Sequence, residues 1–564
     1  MMPLRPAELS PALERQIDAW IEQDPDPQTI AEAHCLRDAA RAGDQEATAE
    51  LTEAFGGRLE FGTAGLRGAL GPGPRRMNRV VVGQAAAGLA RYLQDTGLAD
   101  PKGSGGTVVI GYDARHNSEV FARDTAEILA GAGLKALLTE SPLPTPVVAF
   151  GIGHLGCVAG VVVTASHNPA RDNGYKVYLG DGSQIVPPAD TEIARRILEV
   201  SGQPLTDVPR SNGFETLGDE LVEAYLDRVT SLVAQGAPRE VSWVHTSMHG
   251  VGAAVVAAAA DRIGFPPAAV VAEQQHPDPD FSTLAFPNPE ESGAMDLALA
   301  LAKAHKVDVV LANDPDADRC AVAVPVAGQW RRLTGDELGA LLADDALRRG
   351  VLGTYACSIV SSSLLAKMAA AAGQPFRYTL TGFKWIGRVP GLAFGYEEAI
   401  GYCVDPAAVP DKDGISALVR VLALTAELKA AELTLTDRLD EIDRRYGVHA
   451  TDQLAVRVTD LTEIAHAMAR LRSAPPSRLL GQPVLVTDLA TGSADLPPTD
   501  GVRLVGERVT VVVRPSGTEP KLKIYLEARI AVEASQDLPA ARAHARQMLD
   551  AARAEIALAL GLTG

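Results

Sequence analysis

Short Val/Ile-rich runs alternate with longer Ala/Leu-rich amphipathic runs along most of the chain. TVVIGYD, from Thr107, is apolar without a break, as a buried strand is. FARDTAEILAGAG, from Phe121, has the period of a helix and a glycine stop. The pair recurs as VAGVVVTAS, from Val158, and DTEIARRILEV, from Asp190. It restarts at EVSWVHTSMHG, from Glu240, and at VDVVLANDPDADR, from Val307. Strands alternating with helices predict α/β domains with largely parallel or mixed sheets, whose chemistry sits in loops at the carboxyl ends of strands. The last part differs. VRLVGERVTVVVRPSGTEPKLKIYLEARI predicts strand, loop, strand, followed by a long Ala/Arg-rich helix, which is a smaller α+β domain. Linkers are expected at SGQPLTDVPRSNG from Ser201, after the DPDADR loop, and at RRYGVH from Arg444. Between Val147 and Ser166 there is no Asp, Glu, Lys or Arg, but there are four glycines and His154. This predicts two buried pieces of sheet joined by a turn, not a membrane span.

The length of 564 residues predicts three to five domains at about 100–200 residues each. Lys+Arg number 52 and Asp+Glu 71, a net charge of −19. Such a chain does not bind nucleic acid or an anionic membrane by bulk charge, so an anionic ligand needs local cations and backbone N–H groups. Cys35, Cys157, Cys320, Cys357 and Cys403 are odd in number, widely spaced and without a CxxC, which argues against a disulfide framework or zinc site. The N-terminal stretch carries charges throughout and has no signal-like apolar run. A soluble, cytoplasmic protein is expected.

Five loops carry candidate chemistry. Thr164-Ala165-Ser166-His167-Asn168-Pro169 follows the VAGVVV strand. It reads as a rigidly placed serine nucleophile or as a plain Ser/Asn/Pro turn. Asp314-Pro315-Asp316-Ala317-Asp318-Arg319 spaces three carboxylates at i, i+2 and i+4, which an extended segment projects to one side. They repel unless a cation sits among them, and hard oxygen ligands favour Mg²⁺ or Ca²⁺. An EF-hand is excluded, since Arg319 stands at the turn glycine and Pro325 at the twelfth-position glutamate. A solvated acidic turn is the plainer reading. Arg514-Pro515-Ser516-Gly517-Thr518-Glu519-Pro520-Lys521 offers a guanidinium, hydroxyls and freed N–H groups for a phosphate, or is a hairpin turn. Gly395-Tyr396-Glu397-Glu398-Ala399-Ile400-Gly401-Tyr402 offers carboxylates to sugar hydroxyls, or is an acidic surface turn. Phe61-Gly62-Thr63-Ala64-Gly65-Leu66-Arg67-Gly68 places one arginine in a glycine-rich loop. Gly151-Ile152-Gly153-His154-Leu155-Gly156 matches GxGxxG, but a strand follows it, so the dinucleotide context is missing.

These five motifs, in this order, resemble the α-D-phosphohexomutase superfamily of phosphoglucomutases and phosphomannomutases, and most of all its longer bacterial and pentomutase-like branch. The resemblance spans nearly the whole chain. It implies four domains around one central cleft: three α/β domains with mixed sheets (1–212 with the phosphoserine loop, 213–328 with the metal loop, 329–445 with the sugar loop) and a smaller α+β domain (446–564) with the phosphate loop. It implies that Ser166 carries the phosphoryl group beside His167. Asp314, Asp316 and Asp318, with Ser166, would bind Mg²⁺. Arg67, Lys176 (in NGYKVY) and Arg319 would line the transfer site. Thr381, Gly382, Glu397 and Lys412 would bind the sugar, and Arg514, Ser516, Gly517 and Thr518 its distal phosphate. Ala399 and Gly401 depart from relatives that carry serine and histidine there, which bears on hexose selectivity.

The implied reaction interconverts hexose 1-phosphate and hexose 6-phosphate, with glucose favoured, through a phosphoserine and a bisphosphorylated sugar. Glucose 1,6-bisphosphate would act as activator. Mannose and pentose phosphates are the alternative substrates. A phosphorylated Ser166 carries about −1.5 to −2 charge, and three ionised carboxylates add about −3, so a divalent cation is needed to hold them together. Lys176 is a candidate general base if its pKa is lowered. Two readings of another class are a metal-dependent sugar-phosphate phosphatase, which leaves the sugar and second phosphate loops unexplained, and a non-catalytic sugar-phosphate sensor, which would be expected to lose the serine or a carboxylate.

Overall fold

The computed structural model describes residues 9–99, 106–458, 461–493, 496–516, 521–533 and 537–562. The chain forms two compact units. The first is Met1–Ala321 with Asp405–Val419, and the second is Val322–Val404 with Arg420–Gly564.

The first unit opens on helices Pro11–Gln23, Pro27–Arg41 and Gln45–Phe55, capped by the side chains of Ser10, Asp26 and Asp44. Ile17, Trp20, Leu51 and Phe55 of these helices join the core of a six-stranded sheet. The strand order is Leu66–Ala69, Asp172–Leu179, Ala159–Val163, Thr107–Tyr112, Lys135–Thr139, Glu215–Leu217. The last four run parallel, and Asp172–Leu179 runs antiparallel to both its neighbours. Every residue of Ala159–Val163 is buried, which is why its sequence is an unbroken apolar run. A second sheet places Trp243–Thr246 between Val309–Ala312 and Ala269–Val270, all parallel.

One expectation fails here. The uncharged stretch from Val147 begins inside a helix, Thr145–His154, and only its second half is a strand. Residues 145 to 152 of that helix are all buried. A helix enclosed on every side shows no amphipathic period, so its sequence cannot be told from a buried strand.

In the second unit, Phe376–Thr379, Thr354–Ser358 and Leu392–Glu397 run parallel, and Gly401–Cys403 closes the edge antiparallel. Helices Gly335–Arg348, Leu364–Ala371 and Leu435–Tyr446 belong to this layer. The C-terminal layer is an antiparallel sheet ordered Val448–Arg457, Lys521–Ile530, Val509–Pro515, Val502–Val505, Leu485–Asp488, with helices Leu461–Ser473 and Leu538–Leu560. The run expected as strand, loop, strand is three strands, because the chain turns at Gly506 and its neighbours before Val509. The α/β class with a C-terminal α+β layer is therefore observed. No helix among the described residues is long and apolar enough to cross a membrane. All five cysteines are free.

Candidate active site

The loop after strand Ala159–Val163 is fixed before its serine is considered. Ser166 is buried, at a φ of 52°, in the left-handed region that β-carbon residues avoid. Its N–H donates to Thr164 Oγ1 at 2.9 Å. Its carbonyl is held by a residue that the sequence reading missed, Arg115. The Arg115 guanidinium donates to the carbonyls of Ser166 (2.5 Å), Asn168 (2.6 Å), Pro169 (2.9 Å) and Asp172 (3.1 Å). Arg115 is itself buried beside Asp113, 3.2 Å from Nε to Oδ2, with its ring-stacking face 4.8 Å from the Phe281 centroid. One cation thus pins the backbone of the whole loop. The available signal was GYDAR at the carboxyl end of a buried strand.

Ser166 Oγ donates to Asp314 Oδ2 at 2.9 Å and lies 3.2 Å from His167 Nδ1. Burial, then Arg319 and Arg67, hold His167 well below the usual imidazole range, so the ring is neutral. Arg67, on strand Leu66–Ala69, donates to Asn168 Oδ1 at 3.2 Å.

Asp314, Asp316 and Asp318 are buried, and one oxygen of each lies within 4.8 Å of the others. They do not converge by strand alternation, as the spacing suggested. The segment is a turn, with Ala317 at a φ of 54° and its N–H on Asp314 O at 2.8 Å. Asn313 ties the turn's far end through Arg319 O at 2.7 Å. Thr145 Oγ1 donates to Asp316 Oδ2 at 2.7 Å. A close approach also shapes the turn. A β-carbon on Gly414 would stand 2.2 Å from Arg319 O, so only glycine fits there.

The cluster's charges are crossed rather than neutral. Lys176 Nζ lies 2.7 Å from Asp316 Oδ2 and 3.0 Å from Asp318 Oδ2, and Lys412 Nζ lies 3.4 Å from Asp318 Oδ2. Arg319 Nε is 3.7 Å from Asp318 Oδ1. Burial alone would depress Lys176, but Asp316 and Asp318 outweigh it and raise its pKa. This direction runs against the lowered pKa that a general base at Lys176 requires. Burial, with Asp316 and Asp318 beside it, pushes Asp314 well above the usual carboxylate range. The trio cannot carry three charges on these lysines alone. Asp316 Oδ1 and Asp318 Oδ1 are buried without a hydrogen-bond donor. Three hard oxygen donors with two unpaired lone-pair sets fit a divalent cation such as Mg²⁺.

The remaining candidates lie in the second unit. Thr381 and Gly382, the latter at a φ of 104°, precede the short helix Phe383–Ile386. Glu397 ends strand Leu392–Glu397. Next to it, Glu398 Oε2 accepts from Ser358 Oγ (2.9 Å) and Ser361 Oγ (3.3 Å). The Glu398 carbonyl sits so close to Gly335 that a β-carbon there would be 1.8 Å from it. Below the loop, buried Asp336 accepts from Tyr396 Oη at 2.8 Å and from Ser362 N at 2.7 Å. Burial pushes the Asp336 carboxyl up to about 7. Arg514 is the penultimate residue of strand Val509–Pro515, and Ser516 N donates to Lys521 O at 2.8 Å. Gly517 and Thr518 lie outside the described residues. Tyr525 connects the two loops. Burial and Glu398 raise its phenol well above the usual range, and Arg514 draws it back.

Four family models match the chain in order: phosphoglucomutase/phosphomannomutase alpha/beta/alpha domain I over residues 58–203, domain II over 223–328, domain III over 334–445, and the C-terminal domain over 454–545. A "probable phosphomannomutase" of Haemophilus influenzae is 48% identical over 465 residues, covering 80% of this chain and 93% of the relative. The phosphopentomutase of Homo sapiens is 35% identical over 576 residues, covering 91% of each chain. Among solved structures, the phosphoglucomutase parafusin of Paramecium shares the fold at a TM-score of 0.68 and 19% identity, over 89% of this chain and 96% of that one.

Proposed function

The chain belongs to the phosphoglucomutase/phosphomannomutase family of the α-D-phosphohexomutase superfamily and is a phosphomutase, and from that premise we propose that it interconverts hexose 1-phosphate and hexose 6-phosphate, with glucose favoured, through phosphorylated Ser166. The observation that carries the reading is the buried Ser166 hydroxyl on Asp314, inside a carboxylate trio that needs a cation.

Each residue then has a task. Ser166 Oγ holds the phosphoryl group, and the Arg115 clamp keeps it from drifting as the group leaves and returns. Arg67, Arg319 and Lys176 supply positive charge around the transferring oxygens, with Lys176 acting as an ammonium and not as a base. Neutral His167 accepts or donates a hydrogen bond beside Ser166 without adding charge. Asp314, Asp316, Asp318 and the phosphorylated Ser166 would hold Mg²⁺, which supplies Lewis-acid stabilisation to the phosphoryl oxygens. Glu397, with Thr381, Gly382 and Lys412, takes sugar hydroxyls. Arg514 and Ser516, with Gly517 and Thr518, take the phosphate that is not being transferred. Transfer to the free hydroxyl, whose proton takes the place of the phosphoryl group on Ser166 Oγ, gives a bisphosphorylated sugar, and return of its other phosphate to Ser166, with a proton passing back to the sugar oxygen, completes the isomerisation. Added glucose 1,6-bisphosphate would restore enzyme that has lost its phosphate.

The domain limits that fit this reading are 1–212, 213–328, 329–445 and 446–564, and each family match falls within one of them. The free cysteines favour a reducing, cytoplasmic compartment. A pentose phosphate is the second reading, favoured by the phosphopentomutase relative that covers nearly all of both chains. The test is a coupled assay with Mg²⁺ and a trace of glucose 1,6-bisphosphate on glucose, mannose and ribose 1-phosphates. Glucose should give the highest kcat/KM, and a clear preference for ribose would replace it with the pentose reading. Ser166→Ala should lower kcat by ~10⁴-fold or more and remove the covalent phosphate seen by intact mass. Near-normal turnover in that variant would sink the scheme.

A further inference from the structure

The second unit contains a cavity of about 240 Å³ that none of the residue roles above uses. Its floor is the C-terminal sheet, where Arg503, Val512 and Tyr525 stand side by side on neighbouring strands. Its roof is Ile359, Val360, Ser361, Ser363 and Tyr378. Among the described residues, Arg503 has no side-chain hydrogen-bond acceptor or ion-pair partner, and its Nε is buried. It lies over the Tyr378 ring, 5.5 Å from the centroid. Arg503 is half-buried, and its desolvated Nε lacks an acceptor, an arrangement that a ligand oxygen in the cavity would satisfy.

The charges in the cavity define that ligand. Arg529, the other cation on the wall, is spent: it donates to Glu527 Oε2 and Thr510 Oγ1, both at 2.7 Å, and to backbone carbonyls. Glu527 is equally occupied, since Oε1 accepts from Ser362 and Ser363. His449, then Arg529 and the Ser363 N–H, outweigh burial and hold Glu527 down at about 2. Arg503 therefore leaves one net positive charge. A carboxylate cancels it, whereas a phosphate monoester, near −2 at neutral pH, would leave an uncompensated negative charge beside Glu527. Planar carboxylates also match the guanidinium fork. Ile359, Val360, Val505 and Val512 offer apolar walls to a short carbon body. The volume lies below the roughly 300–1,000 Å³ of drug-sized sites, so the occupant is a small metabolite.

We propose that this cavity is an effector site for a small monocarboxylate, bound by Arg503. Ser361 lines the cavity and donates to Glu398 of the sugar loop, and Tyr525 lines it beside Arg514, so occupancy would be felt at both loops. That coupling rests on the mutase reading; binding itself does not.

The experiment titrates the full-length protein with pyruvate, and separately with lactate and glycerol 3-phosphate, by calorimetry. Pyruvate or lactate should bind at one saturable site. Arg503→Met should weaken that binding about tenfold or more, and Arg503→Lys less. Arg514→Met should leave it unchanged, which separates this site from the phosphate loop. The Arg503→Met variant should keep its basal mutase activity and its melting profile, but lose any pyruvate-dependent change in KM. Undiminished binding in Arg503→Met, or no saturable binding of either carboxylate, overturns the proposal. Tighter, Arg503-dependent binding of glycerol 3-phosphate overturns the carboxylate assignment. Arg503-dependent pyruvate binding in a protein inactive on every sugar phosphate would uphold the site and sink the mutase reading alone.

Discussion

The Ser166 cluster of the first unit and the Glu397–Glu398 loop of the second are both polar and largely enclosed, but they are held in opposite ways. Around Ser166, charge is set against charge. Lys176 faces two aspartates, Arg115 faces Asp113, and Arg319 stands between carboxylates. Around Glu398, one carboxylate is held by neutral hydroxyls, and Asp336 by a phenol and a backbone N–H. Charged networks in low dielectric resist displacement, and they fail badly when one member is lost. A hydroxyl network gives way locally and cheaply. The first arrangement suits a group that must stay in register while a bond breaks. The second suits a surface that has to accept differing hydroxyl patterns.

The sharpest way to break this contrast is Arg115→Met. It strips the donor from four carbonyls and leaves Asp113 buried alone. Urea melts should show a loss of about 3–5 kcal/mol, and kcat should fall ~10²-fold through the misplaced Ser166. Activity close to that of the parent would mean that the loop is rigid without its clamp. A matched pair of glycines comes next. Gly414→Ala drives a methyl against Arg319 O under the aspartate turn, and Gly335→Ala does so against Glu398 O under the Glu397–Glu398 loop. Each should cost about 1–3 kcal/mol in stability. The first should lower kcat and the second should raise KM, and steady-state kinetics showing the same effect for both would erase the distinction.

A pH trend from Asp336 completes the set. Its carboxyl titrates near 7 when folded and near 3.8 when unfolded. Between those values the folded protein holds the extra proton, so this group's contribution to stability falls as pH rises from about 4 to 7. Asp336→Asn keeps an acceptor for Tyr396 and Ser362 but does not ionise. Its melting temperature should therefore decline less than the parent's over that window. Parallel curves would show that Asp336 is already ionised at low pH.

Much of this was legible in the chain. TASHNP and DPDADR each follow an unbroken apolar run, and each sits at the carboxyl end of a buried strand. Such runs report burial on both faces, which is the property that makes the loop behind them rigid. The signal fails where burial is complete but the element is helical, as at Thr145–His154. It also fails where a site is made by backbone. The aspartates meet through the left-handed turn at Ala317, a residue with no sequence preference for it. Arg115 clamps carbonyl oxygens whose positions depend on a loop 51 residues further along. Nothing local encodes that partnership.

The return of Asp405–Val419 to the first unit has a consequence for synthesis. A nascent chain that has reached Ala321 already contains Ser166 and its aspartates, yet it lacks Lys412, the Gly414 buttress, and Asp413, the acceptor for buried Tyr225 at 2.8 Å. Domains generally fold in the order they emerge. Here the earliest part of the chain has to wait for a strip made nearly a hundred residues later. The Ser166–aspartate cluster is thus closed to premature assembly by the route of the polypeptide itself.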